Sequence, residues 1–162
     1  MNPLTPADVQ AALDALGLNI RVQFFEVSTA TAPEAAAAAG AELGSIVKSL
    51  CFVVAGQPVV VLTAGDQRVD DRKLGELFGV GRKKVKIADA ATTLAVTGYE
   101  IGGVPPIGHR TALPILIDAT LQRFEVVYGA AGSPNAIFPI PFTTLVAVTA
   151  GRVVDIAKDE HP

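Results

Sequence analysis

Two β-branched runs, Ile46 to Val54 and Val59 to Thr63, are separated only by Ala55-Gly56-Gln57-Pro58, which commits the middle of the chain to a hairpin. Both faces of the first run are largely apolar, and one residue breaks the pattern. Strand alternation places Lys48 on the face that carries Ile46, Leu50, Phe52 and Val54. Two explanations are open. The carbon stem covers apolar surface while the ammonium reaches water at a strand end, or the cation is fixed at the mouth of a pocket, ready to hold a phosphate or carboxylate.

Around this hairpin the pattern predicts short elements of both kinds. Thr5-Pro6-Ala7-Asp8 starts a helix that Gly17 ends, and residues 31–39, closed by Gly40, form a second. Residues 70–78 form a third, with Leu74, Leu77 and Phe78 turned inward; residues 89–97 and 142–149 form two more. Strands are expected at 21–27, 84–87, 112–117, 125–128, 136–140 and 153–156. Regular βαβ alternation is missing, so the fold expected is α+β, a mixed and partly barrel-like sheet with peripheral helices. With 162 residues, half of them hydrophobic, and no repeat or linker, residues 1–162 are expected to form one domain.

Charge and cysteine content narrow the setting. Net charge is -3, yet the segment from Lys48 to Lys86 holds eight basic and four acidic residues, so one face can be positive enough to meet phosphates. An ordinary solvated face explains the same numbers. The single cysteine, Cys51, excludes an intrachain disulfide and is compatible with a reducing, cytoplasmic setting. No apolar run reaches about 18 residues and the first six residues do not resemble a secretion signal, so a soluble protein with no membrane partner is expected.

Few residues offer chemistry. The run Gly98 to His109 is rich in glycine and proline; glycines let backbone N–H groups approach a carbonyl or anion, while Pro105 and Pro106 restrict the path. It matches neither a phosphate-binding nor a dinucleotide glycine pattern. Cys51 faces away from Lys48 on the alternation and reads as an inert buried thiol. His109 can orient substrate or move a proton, whereas His161 lies in the terminal tail. Asp118 ends an apolar run, where it either caps the next turn or contacts a substrate amine or ribose. Gly129 to Asn135 is a hairpin connection or a second small-residue wall. Two histidines and one cysteine, widely spaced, give no zinc pattern.

At these residues the sequence resembles the YbaK and prolyl-tRNA-synthetase-associated editing family. Ile46-Val47-Lys48-Ser49-Leu50 resembles its lysine-bearing strand, Gly102-Gly103-Val104-Pro105-Pro106-Ile107-Gly108 its substrate loop, and Gly129 to Ser133 its later turn. The resemblance implies a domain that hydrolyses the ester between a mischarged small amino acid and the terminal adenosine of tRNA, without metal or cofactor. By that resemblance Lys48, Gly102 and Gly103 carry the chemistry. Val104, Pro105, Pro106, Gly108, His109, Asp118, Gly132 and Ser133 hold the substrate, and Lys83 and Lys84 meet tRNA. The partners implied are the mischarged acceptor end, with tRNA for proline and its synthetase as the specific case, and no DNA; monomer and homodimer both remain open. In some members that act on cysteinyl-tRNA a serine stands in the turn where this chain has Gly129-Ala130-Ala131-Gly132, which weighs against cysteine specificity and leaves alanine, cysteine and serine as the small amino acids to test. A non-catalytic module binding a tRNA acceptor or nucleotide on the same fold is the alternative.

Overall fold

A computed structural model describes residues 2–159; His161 lies outside the described residues. In chain order the elements are α1 (Pro6–Ala15), β1 (Gln23–Phe24), α2 (Ala32–Ala39), β2 (Ile46–Val54), β3 (Gln57–Ala64), α3 (Asp71–Leu77), β4 (Val85–Ile87), α4 (Ala90–Thr97), β5 (Ile115–Asp118), β6 (Val126–Ala130), β7 (Ala136–Pro141), α5 (Phe142–Thr149) and β8 (Arg152–Val154). Four helices begin where the sequence supplies a polar cap. Thr31 and Glu34 satisfy each other's backbone N–H groups at α2, Asp70 accepts from Arg72 and Lys73 N at α3, and Asp89 accepts from Thr92 N at α4. Thr5 and Asp8 do the same for α1.

The hairpin is tighter than the spacing suggested. Ala55 and Gly56 alone make the turn, both with positive φ (49° and 83°), as a two-residue hairpin loop demands, and Gln57 and Pro58 already belong to β3. Towards one side, β5 runs parallel to β3 and β8 parallel to β5. Towards the other, β6 runs parallel to β2, β7 antiparallel to β6, and β1 antiparallel to β7. The sheet is therefore mixed, in the order β1-β7-β6-β2-β3-β5-β8, with β4 attached to β2.

That attachment splits one edge of β2. β6 pairs only with its start, Ile46↔Tyr128 and Val47↔Gly129, while β4 pairs only with its end, from Phe52↔Ile87 to Val54↔Val85. Lys48 to Cys51 have β3 on one edge and no partner strand on the other. Backbone directions follow from two bonds: Gly65 N donates to Ile46 O on the β3 side, and Ala88 N donates to Cys51 O on the open side. Alternation then turns the Ser49 backbone into the gap.

Apolar clusters flank the sheet. Val47, Val60, Leu62, Ile117, Val127 and Phe138 anchor the largest, beneath α1 and the Tyr99–Ile107 segment. On the opposite face, Phe52, Val54, Val59, Val61 and Leu74 form a second, and Ile46, Ile137, Ala32, Ala35 and Ala36 a third. Lys48 falls between these last two clusters, on the strand face they share.

Three expectations need correction. Of the strand expected at 21–27 only Gln23–Phe24 pairs, both exposed, because β7 offers Ala136 and Ile137 alone as partners. Phe78 is 41% exposed rather than inward; it caps α3 after Leu74 has taken the core position. The strand expected at 112–117 begins only at Ile115, because β3 pairs with residues 115–117. Among the described residues no helix is long and apolar enough to cross a membrane.

Candidate active site

A cavity of about 340 Å³ opens at the split in the β2 edge. Lys48, Ser49, Leu50 and Cys51 form its floor. The segment Thr29–Ala32 leading into α2 lines it beside the glycine loop, where a Cβ on Gly102 would stand 3.6 Å from Ala30 Cβ, and Thr93 and Val104 line it as well. Ile87 from β4 and Ile101 from the glycine loop stand at the rim, 64% and 62% exposed. Because the cavity lies over a strand edge, both faces of β2 reach it, which is why Cys51 and Lys48 share it although their side chains alternate.

Lys48 is half-buried, and its Nζ donates to the Gln67 carbonyl at 2.7 Å. Burial lowers its pKa from the usual lysine value, the nearby Arg68 charge adds to that, and Asp66 opposes it. The Gln67 carbonyl is itself held in place. Its neighbour Asp66 receives a two-pronged hydrogen bond from Arg123 (2.9 and 2.7 Å), which keeps the Asp66 carboxyl below its ordinary pKa. Arg123 is fixed in turn by the Thr120 carbonyl and by its stacking over Phe124, 5.1 Å from the ring centre. The Cys51 thiol is pushed up by burial, away from the thiolate a nucleophile needs.

Two polar groups on the walls were not singled out by the sequence. The hydroxyls of Thr29 and Ser49 are buried and make no hydrogen bond to protein; a third such hydroxyl, Thr63, stands across β3 from Lys48. Serine and threonine at these positions look like ordinary loop and strand residues until the gap between β4 and β6 is known.

The glycine-proline loop and the small-residue turn meet each other. Gly132 N donates to Gly103 O at 2.8 Å, and a Cβ on Gly103 would stand 3.0 Å from the backbone of Gly132 and Ser133. Pro106 packs on Gly129, where a Cβ would come within 2.7 Å of the ring. His109 Nε2 lies 2.7 Å from the Pro105 carbonyl, and since a carbonyl only accepts, that nitrogen carries the proton. Burial lowers the His109 pKa, with the Pro105 carbonyl opposing. The Tyr99 hydroxyl, whose pKa burial raises to about 12, donates to Gly108 O.

Of the site residues the family resemblance implies, Lys48, Gly102 and Val104 line the cavity, together with Cys51, which the sequence reads as inert. Gly103, Pro105, Pro106, Gly108, His109, Gly132 and Ser133 are not among its lining residues; Gly108 and Gly132 lie against Ala12 and the Thr5–Pro6 backbone at α1, and Ser133 donates to Asn135 Oδ1. Asp118 is elsewhere. Fully buried, it accepts from Thr120 N and Oγ1 and from Ile156 N, tying β5 to the following turn and to the residues after β8. Lys83 and Lys84 are exposed on the 3-10 turn that enters β4, whose far end, Ile87, reaches the cavity rim. Part of the basic segment is neutralised locally, Lys73 by Asp155 and Asp159 and Arg72 by Glu76.

Comparison with known proteins identifies the family. The aminoacyl-tRNA editing domain family matches residues 26–147, which include every residue lining the cavity. The uncharacterised protein YwhH of Bacillus subtilis is 35% identical over 83% of this chain and 85% of its own length. The proline--tRNA ligase of Desulfovibrio desulfuricans is 36% identical over 72% of this chain, which spans only 20% of that ligase. A crystal structure of a candidate trans-editing enzyme for prolyl-tRNA synthetase superposes with a TM-score of 0.89 at 38% identity, over 95% of this chain and 97% of that one. Sequence and architecture agree, and the chain belongs to the aminoacyl-tRNA editing domain family.

Proposed function

We propose that the cavity at the split edge of β2 hydrolyses the ester joining a mischarged small amino acid to tRNA, with residues 1–162 working as one editing domain. The observation that carries this reading is the meeting of Lys48, Gly102 and Val104 around one cavity in a chain of this family. The ligase and the trans-editing enzyme among the relatives make tRNA for proline the first substrate to try.

One Lys48 N–H is held by Gln67, leaving two to grip a phosphate or the terminal nucleotide of the acceptor end. The Gly103 amide is already bonded to Glu100 O at 3.0 Å, so Gly102 and Val104 are the loop residues whose amides serve the acyl carbonyl. Water adds to the acyl carbon, the ester C–O bond breaks, and the ribose hydroxyl leaves with a proton. Among the described residues the cavity lining contains no Asp, Glu or His, so proton movement falls to bound water and to the substrate's own hydroxyl and phosphate groups. The exposed Lys83, Lys84 and Lys86 extend from the rim as a basic path for the acceptor strand.

The missing general base is also what favours the second reading, a module of the same fold that binds an acceptor end without cleaving it. Incubation with tRNA(Pro) charged in turn with alanine, serine, cysteine and proline separates the two. Loss of a small non-cognate ester with proline retained supports the deacylase; binding with every ester intact supports the module.

Two variants test the parts. Cys51→Ala is expected to keep deacylation within tenfold of wild type, about 1.4 kcal/mol in barrier, because the thiol takes no part in bond-making; a loss of several hundredfold contradicts this. Asp66→Asn weakens the hold on the Gln67 turn and removes a negative charge that raises the Lys48 pKa. Lys48 then loses its proton at lower pH, so the basic limb of the kcat/KM profile is expected to move to lower pH. An unmoved limb shows that Asp66 does not act through Lys48.

A further inference from the structure

Among the described residues three buried hydroxyls make no hydrogen bond to protein, and of the two that line the cavity Thr29 lies off the β2 strand, on the segment leading into α2. Thr29 is 4% exposed, its Oγ1 has no hydrogen-bond partner in the protein, and the residue lines the cavity. A buried hydroxyl left unpaired is costly, and natural proteins keep few of them. It is also rigidly placed. Thr29 N donates to Pro134 O at 2.7 Å, Ser28 Oγ receives Ala30 N and donates to Glu34, and Thr31 caps α2. The wall beyond it is apolar and built of small or branched groups, Ala32, Ala35, Ile46 and Ile137. Among the described residues Lys48 is the only charged side chain in the lining, so Thr29 stands ready for a neutral donor or acceptor rather than an ion.

We infer that Thr29 is a specificity-determining residue whose hydroxyl hydrogen-bonds the side chain of the bound amino acid, so that the site favours hydroxyl-bearing aminoacyl esters, serine above alanine. The inference rests on the deacylase reading given above. An apolar wall by itself accepts alanine and serine nearly alike, whereas a fixed buried hydroxyl is satisfied by one and left unpaired by the other.

The test uses tRNA(Pro) charged with serine or alanine, with Thr29→Val, which keeps the shape, and Thr29→Ser, which keeps the hydroxyl. In Thr29→Val the seryl-to-alanyl ratio of kcat/KM is expected to fall at least about tenfold, mostly through the seryl ester. Thermal stability should stay level or rise, since an unpaired buried hydroxyl has been removed. Thr29→Ser is expected to restore the ratio. Parallel loss on both esters with the ratio unchanged, or a fall in melting temperature with the same parallel loss, overturns the inference while leaving the deacylase intact. A wild-type protein that cleaves neither ester overturns both.

Discussion

Lys48→Ala is expected to lower kcat/KM for ester hydrolysis by at least about 100-fold while the fold persists. Among the described residues Lys48 supplies the only positive charge in the cavity lining, and it is held ready by the Gln67 carbonyl rather than free to swing into solvent. Charge stabilisation from a fixed, partly desolvated donor costs no reorganisation during the reaction, which is why its removal is felt so strongly. The structural loss is much smaller, about 1 kcal/mol for the hydrogen bond to Gln67. Circular dichroism of Lys48→Ala should therefore match wild type. Unchanged turnover in a folded Lys48→Ala variant removes Lys48 from the mechanism.

Gly129→Ala is expected to damage stability and turnover together. The added Cβ would lie 2.7 Å from Pro106 Cδ and 2.9 Å from Cγ, with Phe138 Cζ at 3.3 Å. A proline ring cannot rotate aside, so either β6 or the loop must move, at a cost of about 1–3 kcal/mol for overpacking. For a chain of this size that is a melting-temperature fall of about 2–4 °C per kcal/mol. Because Pro106 belongs to the loop that carries Gly102 and Val104, the same displacement shifts the cavity wall, and kcat/KM is expected to fall about tenfold or more. A variant that melts normally and turns over normally shows that the contact is slack.

The β2–β3 hairpin and the start of α1 were legible because they are local: a β-branched run with a short turn, or Thr5 followed by Pro6, leaves few alternatives. Lys48 was legible for a different reason, as a charge on an apolar strand face. The gap that makes a cavity beside it is tertiary, created because β6 leaves β2 after Val47 and β4 joins only at Phe52. No window of sequence contains that fact, so neither the unpaired hydroxyls of Thr29 and Ser49 nor the meeting of Lys48 and Cys51 at one cavity, from opposite faces of the strand, is legible there. Asp118 had two readings at a strand end; its three hydrogen bonds within the protein favour the cap. The glycine-proline loop was recognised as one unit, yet it divides into a wall, Gly102 and Val104, and a support, Gly103 and Pro105 to His109, whose polar atoms face other backbone.

The central claim is that a lysine-anchored cavity at a split strand edge cleaves the ester, and it is tested by following binding and ester loss on the same samples. Wild type and Lys48→Ala are each mixed in excess with tRNA(Pro) carrying serine or alanine, and the ester remaining is measured over time. The account predicts rapid loss with wild type and at least about 100-fold slower loss with Lys48→Ala, even at protein concentrations where tRNA is fully bound. Tight binding by wild type with no ester lost, for any amino acid tried, contradicts it.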